Sequence, residues 1–156
     1  MTLRLIRSGA CIAAFAALMA GPVMAQQAGA EPTFADLNLE AGFDPDPQTI
    51  QITAGGDKDA SVSPGGECVG MIAETPDIRL TYKPDQLPLH IEVTADADTT
   101  LVVKAPNGQW ICNDDTDESF DPKVSFTSPQ AGVYEIWVGT YDAEPVPAVV
   151  AITELD

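Results

Sequence analysis

Most apolar runs in this chain are short, alternate with polar residues, and are closed by Gly, Pro, Asn or Asp. That pattern restricts the fold strongly, because side chains two apart share one face of a strand, whereas a helix needs spacings of three and four. The clearest case is residues 99–115, TTLVVKAPNGQWICNDD. Leu101 and Val103 alternate with Thr100, Val102 and Lys104, as in a strand with one buried face. Pro106-Asn107-Gly108 then turns the chain, since Asn and Gly both tolerate the positive φ angles that tight hairpins require. The return arm carries Trp110 and Cys112 and runs directly into Asn113, Asp114, Asp115, Asp117, Glu118 and Asp121.

Residues 34–39, 49–53, 57–63, 68–73, 77–82, 87–94, 123–127, 133–140 and 146–153 read as further strands. Ile78, Leu80 and Tyr82 face away from Asp77, Arg79 and Thr81, and Leu89, Ile91 and Val93 face away from His90, Glu92 and Thr94. In residues 133–140, Tyr134, Ile136 and Val138 share one side and Glu135 and Trp137 the other, and either side can be the core. No stretch has convincing helical spacing. Roughly ten short strands with turn signals about every 8 to 12 residues predict one all-β domain, an antiparallel sandwich or barrel.

The first 25 residues stand apart. Arg4 and Arg7 precede the apolar run 11–20, and Val23-Met24-Ala25 offers a cleavage site before Gln26, the layout of a secretory signal peptide. Cys11 precedes most of the apolar run and is an ordinary residue of that segment. Residues 26–32 lack apolar pattern and are expected to form a mobile leader, with the domain over 33–156. Cleavage leaves 131 residues, enough for one core, and no later run is long and apolar enough to be a membrane-spanning helix. It also leaves five basic residues (Lys58, Arg79, Lys83, Lys104, Lys123) against 24 acidic ones, a net −19. Such a surface repels phosphate backbones, which argues against nucleic acid and in favour of divalent cations or basic partners. Cys68 and Cys112 are the two cysteines left after processing, and in a periplasmic or secreted protein an even count predicts one disulfide. It closes a loop of about 45 residues, for which chain entropy gives roughly 4 kcal/mol.

The segments LPLHIEVTADADTTLVVKAPNGQWICNDD (87–115) and SPQAGVYEIWVGTY (128–141), with Pro122 between them, resemble the bacterial pre-peptidase C-terminal domain. Upstream, AGFDPDPQTIQITAGG (41–56) and GECVGMIAETPDIRLTY (66–82) are similar to its stand-alone exported form in proteobacteria. The resemblance implies a jelly-roll-like β-sandwich that is not itself catalytic and usually accompanies secreted peptidases. Related copies in secreted collagenases bind calcium and assist attachment to matrix, through ligands lying partly in a linker with no counterpart in this chain. By that resemblance calcium is expected at Asn113, Asp114, Asp115, Asp117 and Asp121. No peptidase domain precedes the module, so a protein or polysaccharide partner is expected to act in trans.

Read for chemistry, Asn113, Asp115 and Asp117 sit at alternate positions like the start of an EF-hand loop. Glu118 stands where that loop needs glycine and Val124 where it needs glutamate, so it is not one. Asp96 and Asp98, from the preceding strand end, can complete a set of hard oxygen ligands. For catalysis the mature chain offers a single histidine, His90, which reads as a surface residue, and no serine in a nucleophile motif. Asp98-Thr99-Thr100 lacks the glycine and the second copy that an aspartic peptidase needs. Trp110, Trp137 and Tyr141 are candidates for a flat ligand platform, or for core packing. The expectation is an exported, non-catalytic binding or accessory module. The competing classes are a hydrolase with an unrecognised site and a structural or inhibitory envelope protein.

Overall fold

In the computed structural model, residues 27–63, 68–116, 119–142 and 144–155 are described. The expected signal peptide, the turn Pro64-Gly65-Gly66, and Asp117 with Glu118 lie outside them. The described residues contain eleven strands: β1 Ala35–Glu40, β2 Gln48–Ala54, β3 Lys58–Asp59, β4 Met71–Ile72, β5 Ile78–Lys83, β6 Leu89–Ala95, β7 Thr99–Lys104, β8 Trp110–Asn113, β9 Lys123–Phe126, β10 Gly132–Thr140 and β11 Val146–Thr153. They form two packed sheets, a β-sandwich. One sheet has four strands in the order β2-β11-β6-β9. The other has seven and is built around β10, the longest strand. β5 and then β4 run along one edge of β10, β7 runs along the other, and β1, β3 and β8 lie outside these.

The hairpin forms as the sequence predicts. Leu101 pairs with Asn113 and Lys104 with Trp110. Gly108 takes φ +83°, its N–H donates to Ala105 O at 2.9 Å, and Asn107 Oδ1 accepts the Gln109 N–H at 3.0 Å. The turn at 128–132 is fixed by a local side-chain contact, because the Tyr134 hydroxyl both accepts from Gln130 N and donates to Gln130 O at 2.9 Å.

Three expectations need correcting. The sandwich is not wholly antiparallel, since β1 runs parallel to β5 from Ala35↔Ile78 to Glu40↔Lys83. Parallel neighbours need a long crossover, and the chain supplies one by leaving β1 for the opposite sheet as β2 before returning. The polar run 57–63 is not one strand. After Lys58–Asp59 it turns into a 3₁₀ segment, Ala60–Val62, capped by Asp59, whose carboxylate accepts the Ser61 N–H at 2.9 Å and so competes with ladder pairing.

Finally, β7 and β10 bury both faces rather than one. Between the sheets, Leu101, Val103, Tyr134, Ile136 and Val138 join Ile78, Leu80, Tyr82, Ile91, Val93, Val150 and Ile152 in the main core. On the outer side, Val102 and Trp137 are sealed by Ala60, Cys68 and Ile72 of the β3–β4 segment, with Trp110 and Cys112 beside them. That segment is a flap over the larger sheet. The Cys68–Cys112 disulfide, Cα atoms 5.3 Å apart, ties it to β8.

Candidate functional site

The turns at one end of the sandwich gather much of the acidic charge. The β6–β7 turn brings Asp96 and Asp98, the β8–β9 loop brings Asp114, Asp115 and Asp121, and the turn after β10 brings Tyr141 and Asp142. Tyr141 N donates to Asp98 O at 3.3 Å, joining two of these turns. Asp98 carries the electrostatic record of the crowding. Loss of solvent raises its pKa, and the negative charges of Asp115, Asp114 and Asp142 raise it further.

Two of the seven expected calcium ligands have structural work. Asn113 Oδ1 accepts the Lys123 N–H at 2.8 Å while its amide donates to Asp115 O at 2.8 Å, which clamps the loop between β8 and β9. Asp121 Oδ1 accepts from Ala95 N at 3.3 Å. Asp96, Asp98 and Asp121 nevertheless line one cleft of about 460 Å³ with Ala95, Ala97, Ser119 and Phe120. Phe120 is 71% exposed at its edge and Tyr141 62% exposed nearby. Among the described residues no three Asp, Glu, His or Cys side chains are grouped closely enough to hold a metal ion. Asp117 lies outside them.

The three-aromatic platform does not assemble. Trp110 and Trp137 stack with centroids 5.2 Å apart, but Trp137 is completely buried beneath the flap, and Tyr141 belongs to the acidic end. A large aromatic facing outward from a sheet is ordinarily a ligand surface candidate; here a second layer of chain covers it.

His90 is the other correction, being 5% exposed rather than on the surface. It lies in a cross-strand row between Ser125 of β9 and Thr153 of β11, with Nδ1 2.8 Å from Ser125 Oγ. A histidine touching a serine hydroxyl is half of a nucleophile–base arrangement. It sits on β6, a central strand paired with β11 on one side and β9 on the other.

Several buried polar groups gave no local signal. Asp77 is almost fully buried where the edge of β10 opposite β7 lacks a strand neighbour, between the end of its pairing with β5 at Ile136 and its pairing with β4 at Thr140. There Asp77 Oδ2 accepts the Val138 N–H at 2.7 Å, and Gly55 N donates to Val138 O at 2.9 Å. Burial pushes the Asp77 carboxyl up to about 7, partly opposed by that hydrogen bond. Glu154, past the end of β11, accepts from the Tyr82 hydroxyl at 2.6 Å and from Gly42 N at 2.7 Å, tying the two sheets together. Burial, reinforced by Glu154, pushes the Tyr82 hydroxyl up as well.

No family model matches this chain, and no curated protein matches it. Among solved structures it is similar to PliG of Aeromonas hydrophila, a periplasmic inhibitor of g-type lysozyme. That similarity has 15% identity and a TM-score of 0.38, covering 76% of this chain and 97% of that one.

Proposed function

We propose that this protein is an exported, non-catalytic β-sandwich module that docks a cationic protein partner on its acidic end. The observation that carries the reading is the convergence of Asp96, Asp98, Asp114, Asp115 and Asp142 around a cleft with Phe120 and Tyr141 exposed beside it. Carboxylates attract lysine and arginine, and an exposed ring adds a cation–π surface worth about 0.5–1 kcal/mol. The disulfide and the N-terminal sequence support export, and the resemblance to the pre-peptidase C-terminal domain supports an accessory role beside a secreted peptidase or an envelope component.

The test is binding of a fluorescent arginine- and lysine-rich peptide at low salt and at 0.5 M salt, where the Debye length shrinks to roughly 4 Å. Neutralising Asp96, Asp98 and Asp115 to Asn is expected to weaken binding about tenfold more than neutralising the exposed Asp44, Asp57 and Asp85. Equal losses from the two triple variants would reduce the effect to bulk charge and remove the acidic end as a docking surface.

Calcium is the second reading of the same loops, favoured by the mutual repulsion recorded at Asp98. Drawing these carboxylates around an ion relieves that repulsion, and calcium at 100 times its Kd adds about 2.7 kcal/mol, a melting shift on the order of 10 °C. Magnesium, which resists dehydration, is expected to do less. Thermal unfolding in chelator, calcium and magnesium, for the wild type and for Asp98→Asn with Asp115→Asn, measures this. Coincident curves in chelator and millimolar calcium would rule the ion out.

A further inference from the structure

The outer face of the seven-stranded sheet carries a row of charges that the register aligns across neighbouring strands: Asp36 on β1, Arg79 on β5, Glu135 on β10 and Lys104 on β7. Arg79 Nη1 lies 3.0 Å from Asp36 Oδ2, and Lys104 Nζ lies 2.9 Å from Glu135 Oε2. The Glu135 side chain is 5% exposed and that of Arg79 16%, so each needs its remaining polar atoms satisfied. What satisfies them is the chain's own leader. Glu135 Oε1 accepts the Gly29 N–H, and Arg79 Nη2 donates to Ala30 O and reaches Gly29 O at 3.5 Å.

One acceptor and one donor fixed in the sheet thus read the N–H and C=O groups of a short peptide stretch. The backbone groups read are those of Gly29 and Ala30, and the leader adds one side-chain contact, Glu31 Oε2 lying 3.7 Å from Arg79 Nη1. Gly29 is there at φ +86°, a conformation that side-chain-bearing residues rarely adopt. Gln27 anchors the stretch by donating from N to Glu74 O at 3.0 Å. The leader forms one wall of a cleft of about 830 Å³, with Arg79, Lys104 and Glu135 as its floor and the hairpin turn at Pro106 and the exposed Val133 opposite. Residues 26–32, expected to be a loose leader, therefore make specific backbone contacts over their described part.

We propose that the row of Arg79, Glu135 and Lys104 beneath the leader is a peptide-binding site, that residues 27–31, folded as a turn in which Ala30 N donates to Gln27 O at 3.1 Å, are its intramolecular occupant, and that a glycine-containing turn of a partner protein binds there by displacing them. The site is separate from the acidic end and stands or falls independently of it. A tethered occupant competes at an effective concentration near millimolar, so the row is largely closed to outside peptides until the leader is dislodged.

The probe is an acetylated peptide of the sequence 27–32, titrated into the isotope-labelled mature protein and followed by NMR at the Trp110 indole and the Gly132 amide. In the full mature chain, Gly29→Pro removes the donated N–H and forbids the positive φ, which undocks the leader while leaving Arg79, Glu135 and Lys104 unaltered. The peptide is expected to bind this variant at least tenfold more tightly than wild type. N-methylation of the peptide's glycine nitrogen, which removes the hydrogen bond to Glu135 and leaves the protein unaltered, is expected to weaken binding at least tenfold. No binding to Gly29→Pro, or equal binding of the methylated and unmethylated peptides, overturns the proposal.

Discussion

Replacing Cys68 and Cys112 by serine is expected to lower the melting temperature by on the order of 15 °C. The bridge joins residues 44 apart in sequence, and closing a loop of that size removes roughly 4 kcal/mol of chain entropy from the unfolded state. For a domain of this length each kcal/mol corresponds to about 4 °C. The loss should begin locally. Cys68 is on the flap and Cys112 on β8 opposite Val102, so the bridge pins the layer that covers Trp137. Without it, the segment containing Ala60 and Ile72 is held mainly by the short β3–β4 and β4–β10 pairings. Tryptophan emission is therefore expected to shift to the red at a lower temperature than the loss of strand signal in circular dichroism. Scanning calorimetry and fluorescence on oxidised, reduced and double-serine protein test both parts. Equal melting temperatures for oxidised and reduced protein would show that the flap stays seated without its bridge.

Stability is also expected to fall as pH rises from about 4 to about 7, with Asp77 responsible for much of the slope. Its ordinary value is 3.8 and burial places it at about 7 in the folded protein. Between those values the native state holds a proton that the unfolded chain has released, so raising the pH favours unfolding. The favourable contribution is complete below about 4 and lost as pH passes through 7. An interval of about three pH units corresponds to about 4 kcal/mol.

Asp77→Asn keeps an acceptor for the Val138 N–H but cannot ionise. It is expected to match wild type near pH 4 and exceed it by up to about 4 kcal/mol at pH 8. Asp77→Ala leaves that buried N–H without its partner and should lose about 1–3 kcal/mol even at pH 4. Urea denaturation across this range for the three proteins is the measurement, and the difference between wild type and Asp77→Asn removes the titration of the surface carboxylates. Parallel pH profiles for those two would rule out Asp77 as the titrating group.

Leu101, Val103, Ile78, Leu80, Tyr82, Ile91 and Val93 all point where their alternation says they should. The period of a strand is set by the side chains themselves, and Asn107-Gly108 fixes a hairpin within four residues. The cysteine pairing was legible for a similar reason, since two cysteines after the expected signal peptide leave one intramolecular arrangement. What alternation cannot encode is which strands become neighbours. The parallel pairing of β1 with β5 depends on a crossover through the other sheet, and the burial of Val102 and Trp137 depends on a flap folding back across residues distant in sequence.

The functional surfaces follow the same division. Asp114, Asp115 and Asp121 announce an acidic loop by their crowding, with Asp96 and Asp98 expected beside it, but only tertiary structure adds Asp142 and engages Asn113 and Asp121 in holding the backbone. Arg79 and Glu135 read in sequence as ordinary outward residues of alternating strands. They become a matched donor and acceptor because β5 and β10 pair in the register that sets them side by side, and because the leader lies across them. Local geometry and charge depend on residues near one another in the chain and are therefore legible in it. Which polar groups lose water together depends on the packing of distant strands, and that loss is what raises the Asp77 carboxyl and forces partners onto Arg79 and Glu135.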